Sequence, residues 1–346
     1  MSDAPPVALL KQQPADFQVD EVLGFGADGS GEHDLLHIRK TGANTAWVAA
    51  QLARHAGVAP VAVGYCGLKD RQAITTQWFS VQLPGRRCDW RALRLAGVEI
   101  LEVARHSRKL PRGAHRGNTF RLRLRSVRLA PAVLETRLTR LLAEGAPNHF
   151  GEQRFGRGGH NLGLAVQAQA GVRLGREQRA FALSAQRAAL FNLVLDARLA
   201  EGSWTRLLSG ERAMLDGSHS VFGPITPDAT LAERCLALDI HPTGPLPGAG
   251  DSGTAAECAA LEAALLQPQD GAVQWLSRQG LKAQRRALRV RVAQLAWAWQ
   301  DPGGDPALPD LCLHFDLPRG AYATSVVDHL LGQPAGEWSE LPADST

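Results

Sequence analysis

The sequence predicts an α/β (α+β) protein of two domains, the second inserted into the first. Apolar residues alternate with period two near both ends of the chain, at residues 120–125, 287–299 and 311–317. Helical patterns at 131–144 and 177–201 separate those runs, and the composition changes abruptly after Gly145. At 346 residues the chain has room for two domains of about 100–200 residues each.

In chain order, residues 17–23 read as a strand, followed by Gly24-Phe25-Gly26-Ala27-Asp28-Gly29. That run formally matches G-x-G-x-x-G, but a dinucleotide fingerprint must open a helix, and residues 32–40 have a strand pattern. The glycines are therefore read as a hairpin loop. Asn44 or Thr45 caps a predicted helix reaching about Ala56, with Gly57 at its end. Next, the runs 61–63 and 75–81, rich in β-branched and aromatic residues, bracket a short loop that presents Asp70. Lys69 and Arg71 flank it, and nearby positive charge favours the ionised carboxylate. Such an Asp serves either as a nucleophile or base, or as a solvated turn residue.

A strand at 98–103 leads into the most polarised part of the chain. No acidic residue occurs between Glu102 and Glu135, while nine basic residues do. Within it, alternation puts Arg121, Arg123 and Arg125 on one face of a strand and Phe120, Leu122 and Leu124 on the other. A guanidinium row without balancing carboxylates is expected to track a phosphate backbone; a solvated sheet face is the alternative. The chain carries 33 Arg against five Lys. Arg suits phosphate and base contacts, although a bias in coding composition gives the same count.

Pro131 starts and Gly145 ends the next helix. Residues 147–161 then set Phe150, Arg154, Phe155 and Arg157 among glycines, a loop suited to stacking and phosphate contacts, or to an interdomain hinge. The helix at 177–201 carries a stripe of Phe181, Leu183, Ala188, Phe191, Leu195 and Leu199, read as core. Residues 210–253 read as short strands and turns, and 254–266 and 272–279 as helices. Strands from 287 onward are expected to rejoin the first sheet. A helix-like segment ends near 331, and the polar tail 332–346 is expected to fray. Five scattered Cys without a C-x-x-C pair argue against a disulfide framework and a zinc ribbon. With no secretory pattern and no apolar run near ~18 residues, the expectation is a cytoplasmic protein.

The segment Gly67-Leu68-Lys69-Asp70-Arg71-Gln72-Ala73-Ile74-Thr75-Thr76-Gln77 resembles the signature of the TruD family of tRNA pseudouridine synthases. Pro14-Ala15-Asp16-Phe17-Gln18-Val19, Arg116-Gly117-Asn118-Thr119-Phe120, the 147–161 run and Leu317-Pro318-Arg319-Gly320-Ala321-Tyr322-Ala323-Thr324-Ser325 are each similar to a further family motif. Tyr322 stands where many relatives carry Phe, and His149 where Tyr is usual.

The resemblance implies a pseudouridine-synthase catalytic domain on a mixed, largely antiparallel sheet at residues 1–143 and 298–346. A second α/β domain would be inserted at 144–297. It further implies that Asp70 is catalytic, acting at C1′ or on a ribose proton of a uridine at position 13 of tRNA. Phe17 and Tyr322 would stack on the base and Asn118 would read its polar edge. Lys69, Arg71, Arg121, Arg123, Arg154 and Phe155 are the expected further substrate contacts. No metal or cofactor is expected, and no obligatory protein partner, so the chain would work as a monomer. The competing expectation is a non-catalytic tRNA-binding or RNA-folding protein using the same basic surface.

Overall fold

The computed structural model of the chain describes residues 7–301 and 308–332. The start read for a secretory signal, most of the 301–309 loop and the tail from 333 lie outside the described residues. Among the described residues the chain divides into two units: residues 7–129 with Ala293–Arg319, and Ala130–Val292 with residues 320–332.

The chain begins with strands β1 (Phe17–Val22) and β2 (His33–Thr41), helix α1 (Thr45–Ala56), then β3 (Val63–Tyr65), β4 (Ile74–Gln82), β5 (Val98–His106) and β6 (Gly117–Leu124). The second unit runs through α2 (Pro131–Glu144), β7 (Ala146–Pro147), α3 (Glu152–Phe155), α4 (His160–Gln169) and α5 (Arg176–Ala200). It continues with β8 (Glu211–Leu215), β9 (Val221–Ile225), α6 (Ala229–Leu236), β10 (Ile240–Leu246), α7 (Ala256–Leu266), α8 (Asp270–Arg278), β11 (Gln284–Ala287) and β12 (Arg289–Val290). Strands β13 (Ala293–Gln300) and β14 (Asp310–Pro318) return to the first unit, and α9 (Ala323–Leu331) belongs to the second.

Among the described residues, the first unit holds an eight-stranded mixed sheet in the order β13-β14-β6-β1-β4-β2-β5, with β3 also on β4. Strand β4 lies between β1 and β2, so residues 23–32 join two strands that are not neighbours; the hairpin expected there does not form. β1 pairs in parallel with the first half of β4, at Ile74 to Thr76, and β3 pairs antiparallel with the second half, at Phe79 to Val81. The two short strands thus share one edge of β4, and the 66–73 loop connects them to it.

Helix α1 covers one face of this sheet, burying Val48 and Leu52 against Leu36, Ile38, Phe79 and Val81. Gly57 ends it in the left-handed conformation (φ 60), a geometry that costs glycine least. Asn44 is the N-cap residue and makes no side-chain capping bond, while Thr45 turns its hydroxyl to Gln77 Oε1 at 2.8 Å. Opposed residues of an antiparallel pair share a face. The pairs Phe17↔Leu122, Val19↔Phe120 and Glu21↔Asn118 therefore lie on the helix-covered side, and Gln18↔Arg121 and Asp20↔Thr119 on the other.

The Arg row of β6 keeps its expected alternation but not its expected freedom. Arg121 pairs with Asp20 at 2.7 Å, Arg123 with Asp310 at 2.7 Å, and Arg125 with Asp16 through two bonds of 2.8 and 2.7 Å. The carboxylates missing from the local sequence arrive from β1, the turn before it, and β14. The premise of an unbalanced cation row is thereby overturned.

The second unit packs around α5, whose Ala188, Phe191 and Leu195 are buried beside Phe150, Trp204 and Leu288. Phe181, read as part of that stripe, is instead 48% exposed. Strands β11-β10-β8-β9 form a second sheet. Between β8 and β10 the chain makes α6, a helix missed in a region read as strands and turns; Asp228 caps it by accepting the Leu231 N–H. Helices α3 and α4 likewise replace part of the loop expected after Pro147.

Removing Asp16 should leave the buried Arg125 guanidinium without its two-bond partner. Asp16→Ala is expected to cost about 3 kcal/mol, whereas Arg121→Ala, which removes only the half-exposed pair with Asp20, should cost under about 1 kcal/mol. Denaturant midpoints of the two variants check the contrast.

Candidate active site

The Asp70 loop is held at several points, each by a different element. Its Gly67 carbonyl accepts from Gln77 Nε2 of β4 at 3.3 Å, and its Lys69 N–H donates to Thr45 Oγ1 at the start of α1 at 3.0 Å. Lys40 of β2, fully buried, donates from Nζ to the Asp70 carbonyl at 2.9 Å and towards that of Lys69 at 3.4 Å. Burial pushes the Lys40 ammonium down to about 8, against the opposing pull of Asp70. Elements adjacent in the sheet thus fix a loop that has no regular structure of its own.

Among the described residues the Asp70 carboxylate has two hydrogen-bond partners. Oδ1 accepts the N–H of Gln72 at 3.0 Å, closing an Asx turn, and Oδ2 accepts from Lys11 Nζ at 2.6 Å. Burial on its own would raise this carboxyl. The Lys11 ammonium, by charge and by hydrogen bond, then the Gln72 N–H and Lys40, outweigh burial and hold Asp70 below the usual carboxylate range. Asp70 is therefore ionised at neutral pH as the sequence predicts, but through other residues. Arg71, expected to share that task, is exposed and donates to the Gly42 carbonyl at 3.1 Å.

Lys69 turns the opposite way. Its Nζ donates to Asn118 Oδ1 at 2.7 Å and lies 2.8 Å from Glu21 Oε2, a close ionic contact off the hydrogen-bonding direction. Glu21 Oε1 accepts the backbone N–H of Trp78 at 3.1 Å. Asn118 is placed by its neighbour: a Cβ on Gly117 would meet the Leu317 carbonyl oxygen at 2.4 Å, so only glycine lets β6 and β14 approach this closely.

Phe17 lies at the same site in a supporting role. It is 5% exposed, meets Phe120 edge-on at 6.2 Å, and carries the Lys11 ammonium 4.5 Å from its ring centroid. A ring so covered has little face left for a base. Arg121 and Arg123 lie on the far side of the sheet, in ion pairs, which separates them from Asp70. The first unit thus gathers Phe17, Lys69, Asp70 and Asn118 and leaves Arg71, Arg121 and Arg123 apart.

In the second unit Arg154, Phe155 and Tyr322 come together. Arg154 donates to Ser184 Oγ at 2.8 Å and to the Tyr322 hydroxyl at 3.1 Å, with its guanidinium 5.2 Å from the Phe150 ring. Phe155 and Tyr322 pack on the Phe150–Phe191 cluster. Arg286, missed in the sequence, lies 4.1 Å over Phe150 and donates to the carbonyls of Asn148 and Gly320; burial lowers it to about 10. His149, the departure from the family pattern, meets Asp196 at 2.7 Å.

Lys11, Lys40 and Glu21 were also missed, and the two lysines left a faint signal. The chain has five Lys among 38 basic residues, and Lys11, Lys40 and Lys69 surround Asp70 and its loop. At Lys40 and Lys69, whose side chains are buried, a compact ammonium fits where a planar fork would not, whereas Lys109 and Lys282 are exposed and carry no such signal.

Known proteins share this organisation along the chain. The sequence model of tRNA pseudouridine synthase D (TruD) matches residues 2–169 and 165–330. The tRNA pseudouridine synthase D of Xanthomonas euvesicatoria pv. vesicatoria is 48% identical over 338 residues, covering 92% of this chain and 90% of that one. The protein of the same name from Nitrosococcus oceani is 46% identical over 342 residues, covering 95% and 94%. A crystal structure from Methanosarcina mazei described as TruD superposes with a TM-score of 0.74 at 19% identity, covering 96% of this chain and 95% of that one, a likeness of fold. From identity on this scale over nearly the whole length, together with a match of the family's sequence model, the chain belongs to the tRNA pseudouridine synthase D (TruD) family.

Proposed function

We propose that the chain isomerises a uridine of tRNA to pseudouridine, at position 13, with Asp70 as the acting carboxylate. The observation that carries the reading is Asp70 itself: an ionised carboxylate on a pinned loop, held by Lys11, in a chain with relatives 48% identical that are named for this activity. The reaction breaks the C1′–N1 bond, turns the uracil and joins C1′ to C5. The C5 hydrogen leaves as a proton and N1 takes one up, so substrate and product are isomers.

Asp70 can serve by attacking C1′ or by removing a ribose proton, and both require the ionised form. Among the described residues each carboxylate oxygen has one hydrogen-bond partner, which leaves lone pairs on both for the substrate. A base inside a stack is out of reach, so the nucleotide must be flipped out to meet the loop. Arg154 and Tyr322 are the proposed contacts of the second unit, a hydrogen-bond donor to phosphate and a stacking ring. A working cytoplasmic monomer fits this proposal, because Lys11, Lys40, Lys69 and Asp70 all come from one chain. The non-catalytic tRNA-binding alternative drew on the Arg row, whose members hold carboxylates.

Asp70→Asn is expected to lower tritium release from C5-labelled uridine in tRNA by at least about 10³-fold while tRNA binding stays within about twofold of wild type. Near-normal turnover in this variant would refute the assignment.

The pH dependence tests Lys11. Because Asp70 is held below its ordinary value, its active form and the stability of its ion pair persist above that ordinary value and are lost only as pH falls through the lowered one. Lys11→Met leaves burial to act without its main opponent, so the acid limb of kcat/KM should move to higher pH. An unshifted limb would show that Lys11 does not set the charge of Asp70.

A further inference from the structure

Glu21 and Lys69 do not touch Asp70 through their side chains, yet both are buried at the site, and the expected roles of Lys69 do not explain the arrangement. Lys69 Nζ lies between Glu21 Oε2 at 2.8 Å and Asn118 Oδ1 at 2.7 Å, with the side chains of Lys69 and Glu21 at 7% and 0% exposure. An ammonium can only donate, so the atom of Asn118 facing it must be the carbonyl oxygen. The amide nitrogen is thereby turned away from Lys69. Among the described residues it has no hydrogen-bond partner, and Asn118 is only half buried. The site therefore presents two N–H donors of fixed direction and no acceptor from this side chain.

We infer that Glu21 and Lys69 are positioning residues that lock Asn118 as a hydrogen-bond donor, and that this donor makes the site select uridine over cytidine. The inference rests on the proposed uridine isomerisation. Uracil offers O4, an acceptor, where cytosine offers an amino group, a donor. An amide free to flip could satisfy either base by turning its oxygen or its nitrogen outward. Held by Lys69, it meets O4 with a hydrogen bond and the cytosine amino group with two opposed donors. Leaving buried donors unpaired is the strong form of discrimination, because it costs more than a missing contact gains.

The same polarity suits the turn of the base during the reaction. Rotation of uracil by half a turn about its N3–C6 axis exchanges N1 with C5 and O4 with O2. A donor bonded to O4 before the turn faces O2 after it, so one fixed amide can hold the base in both orientations. Glu21 contributes by keeping Lys69 in place: it neutralises the ammonium and is itself tied to the Trp78 N–H of β4 at 3.1 Å. Without that carboxylate Lys69 could swing away and free the amide to flip.

The test compares single-turnover rates on tRNA carrying uridine, 4-thiouridine or 2-thiouridine at the modified position, since sulfur accepts hydrogen bonds poorly. Wild-type enzyme should favour uridine over 4-thiouridine by about tenfold, the scale of one hydrogen bond, with a smaller effect of 2-thiouridine. In Asn118→Ala both rates should fall and that ratio should approach one. In Glu21→Gln, which keeps an acceptor for Trp78, the ratio should fall towards one with the fold retained. Should Glu21→Gln not fold, Lys69→Met gives the same readout from the other member of the pair. A wild-type ratio of one, a larger effect of 2-thiouridine, or ratios unchanged in the variants would each overturn the inference. Failure of the proposed function itself would look different: wild type would not convert the unmodified uridine at all.

Discussion

Lys11 Nζ stands 2.6 Å from Asp70 Oδ2, and the ionised state of the carboxylate proposed to act depends on this contact. The Asp70 loop lies against the sheet and the start of α1, and burial of the Asp70 carboxyl favours the protonated acid. An acid that is to act on a ribose must be ionised in that setting, and a solvated turn would supply ionisation without any exclusion of water. The chain meets both demands by surrounding the loop with ammonium groups. Lys11 supplies charge and a hydrogen bond, and Lys40 supplies charge from beneath. The support extends one step further: Lys11 itself rests over Phe17, so a residue suited by its ring to hold a base serves here to seat the cation.

The strand leaving the Asp70 loop and the helix from Thr45 to Ala56 were legible in the sequence, because each rests on local periodicity or on an end signal such as Gly57. The strand entering the loop lies later than the 61–63 run suggested, at Val63–Tyr65 after a 3-10 turn. The chain returns to its first sheet at Ala293, since residues 287–290 pair inside the second unit. The position of Asp70 on a short connection between strands was legible for the same reason. Its partners were not. Adjacency in sequence pointed to Lys69 and Arg71, but alternate residues on a tight loop point to different surroundings, and the decisive cation comes from 59 residues away. The Arg row failed for a related reason. Local charge counts three cations and no acid, while sheet order places β6 between β1 and β14, whose ends carry the acids. Pairing across strands is a property of topology, which no window of sequence contains.

The second unit shows the limits of punctuation as a guide. Glycine and proline between 210 and 253 suggested only turns and strands, yet Asp228 caps a helix there that carries Cys235 into a core with Leu207, Ala213 and Ile240. The glycine-bearing run after Pro147 likewise contains a short helix, because Gly151 and Gly156 flank Glu152–Phe155 instead of interrupting it. What such glycines share is placement at element ends and not the absence of structure between them; at Gly156, with φ +76, a side chain would also be strained.

Lys40 joins chemistry to recognition. Lys69 and Asp70 are consecutive, and their side chains diverge, one towards Asn118 and Glu21, the other towards Lys11. Such divergence is useful only if the peptide between them cannot rotate, since any turn of that peptide would move both groups together. Lys40 reaches the carbonyls on either side of the Asp70 residue from the buried face of β2. An arginine fork in its place would bring a larger planar group with five donors into a space that offers two acceptors, leaving donors buried and unpaired. The compact ammonium fits, even at the cost of a proton affinity lowered to about 8. Through one buried side chain the sheet thus sets the direction of the Asp70 carboxylate proposed to act and of the lysine proposed to fix the Asn118 amide, so on that proposal a shift of β2 or β4 that loosened this grip would disturb rate and selectivity together.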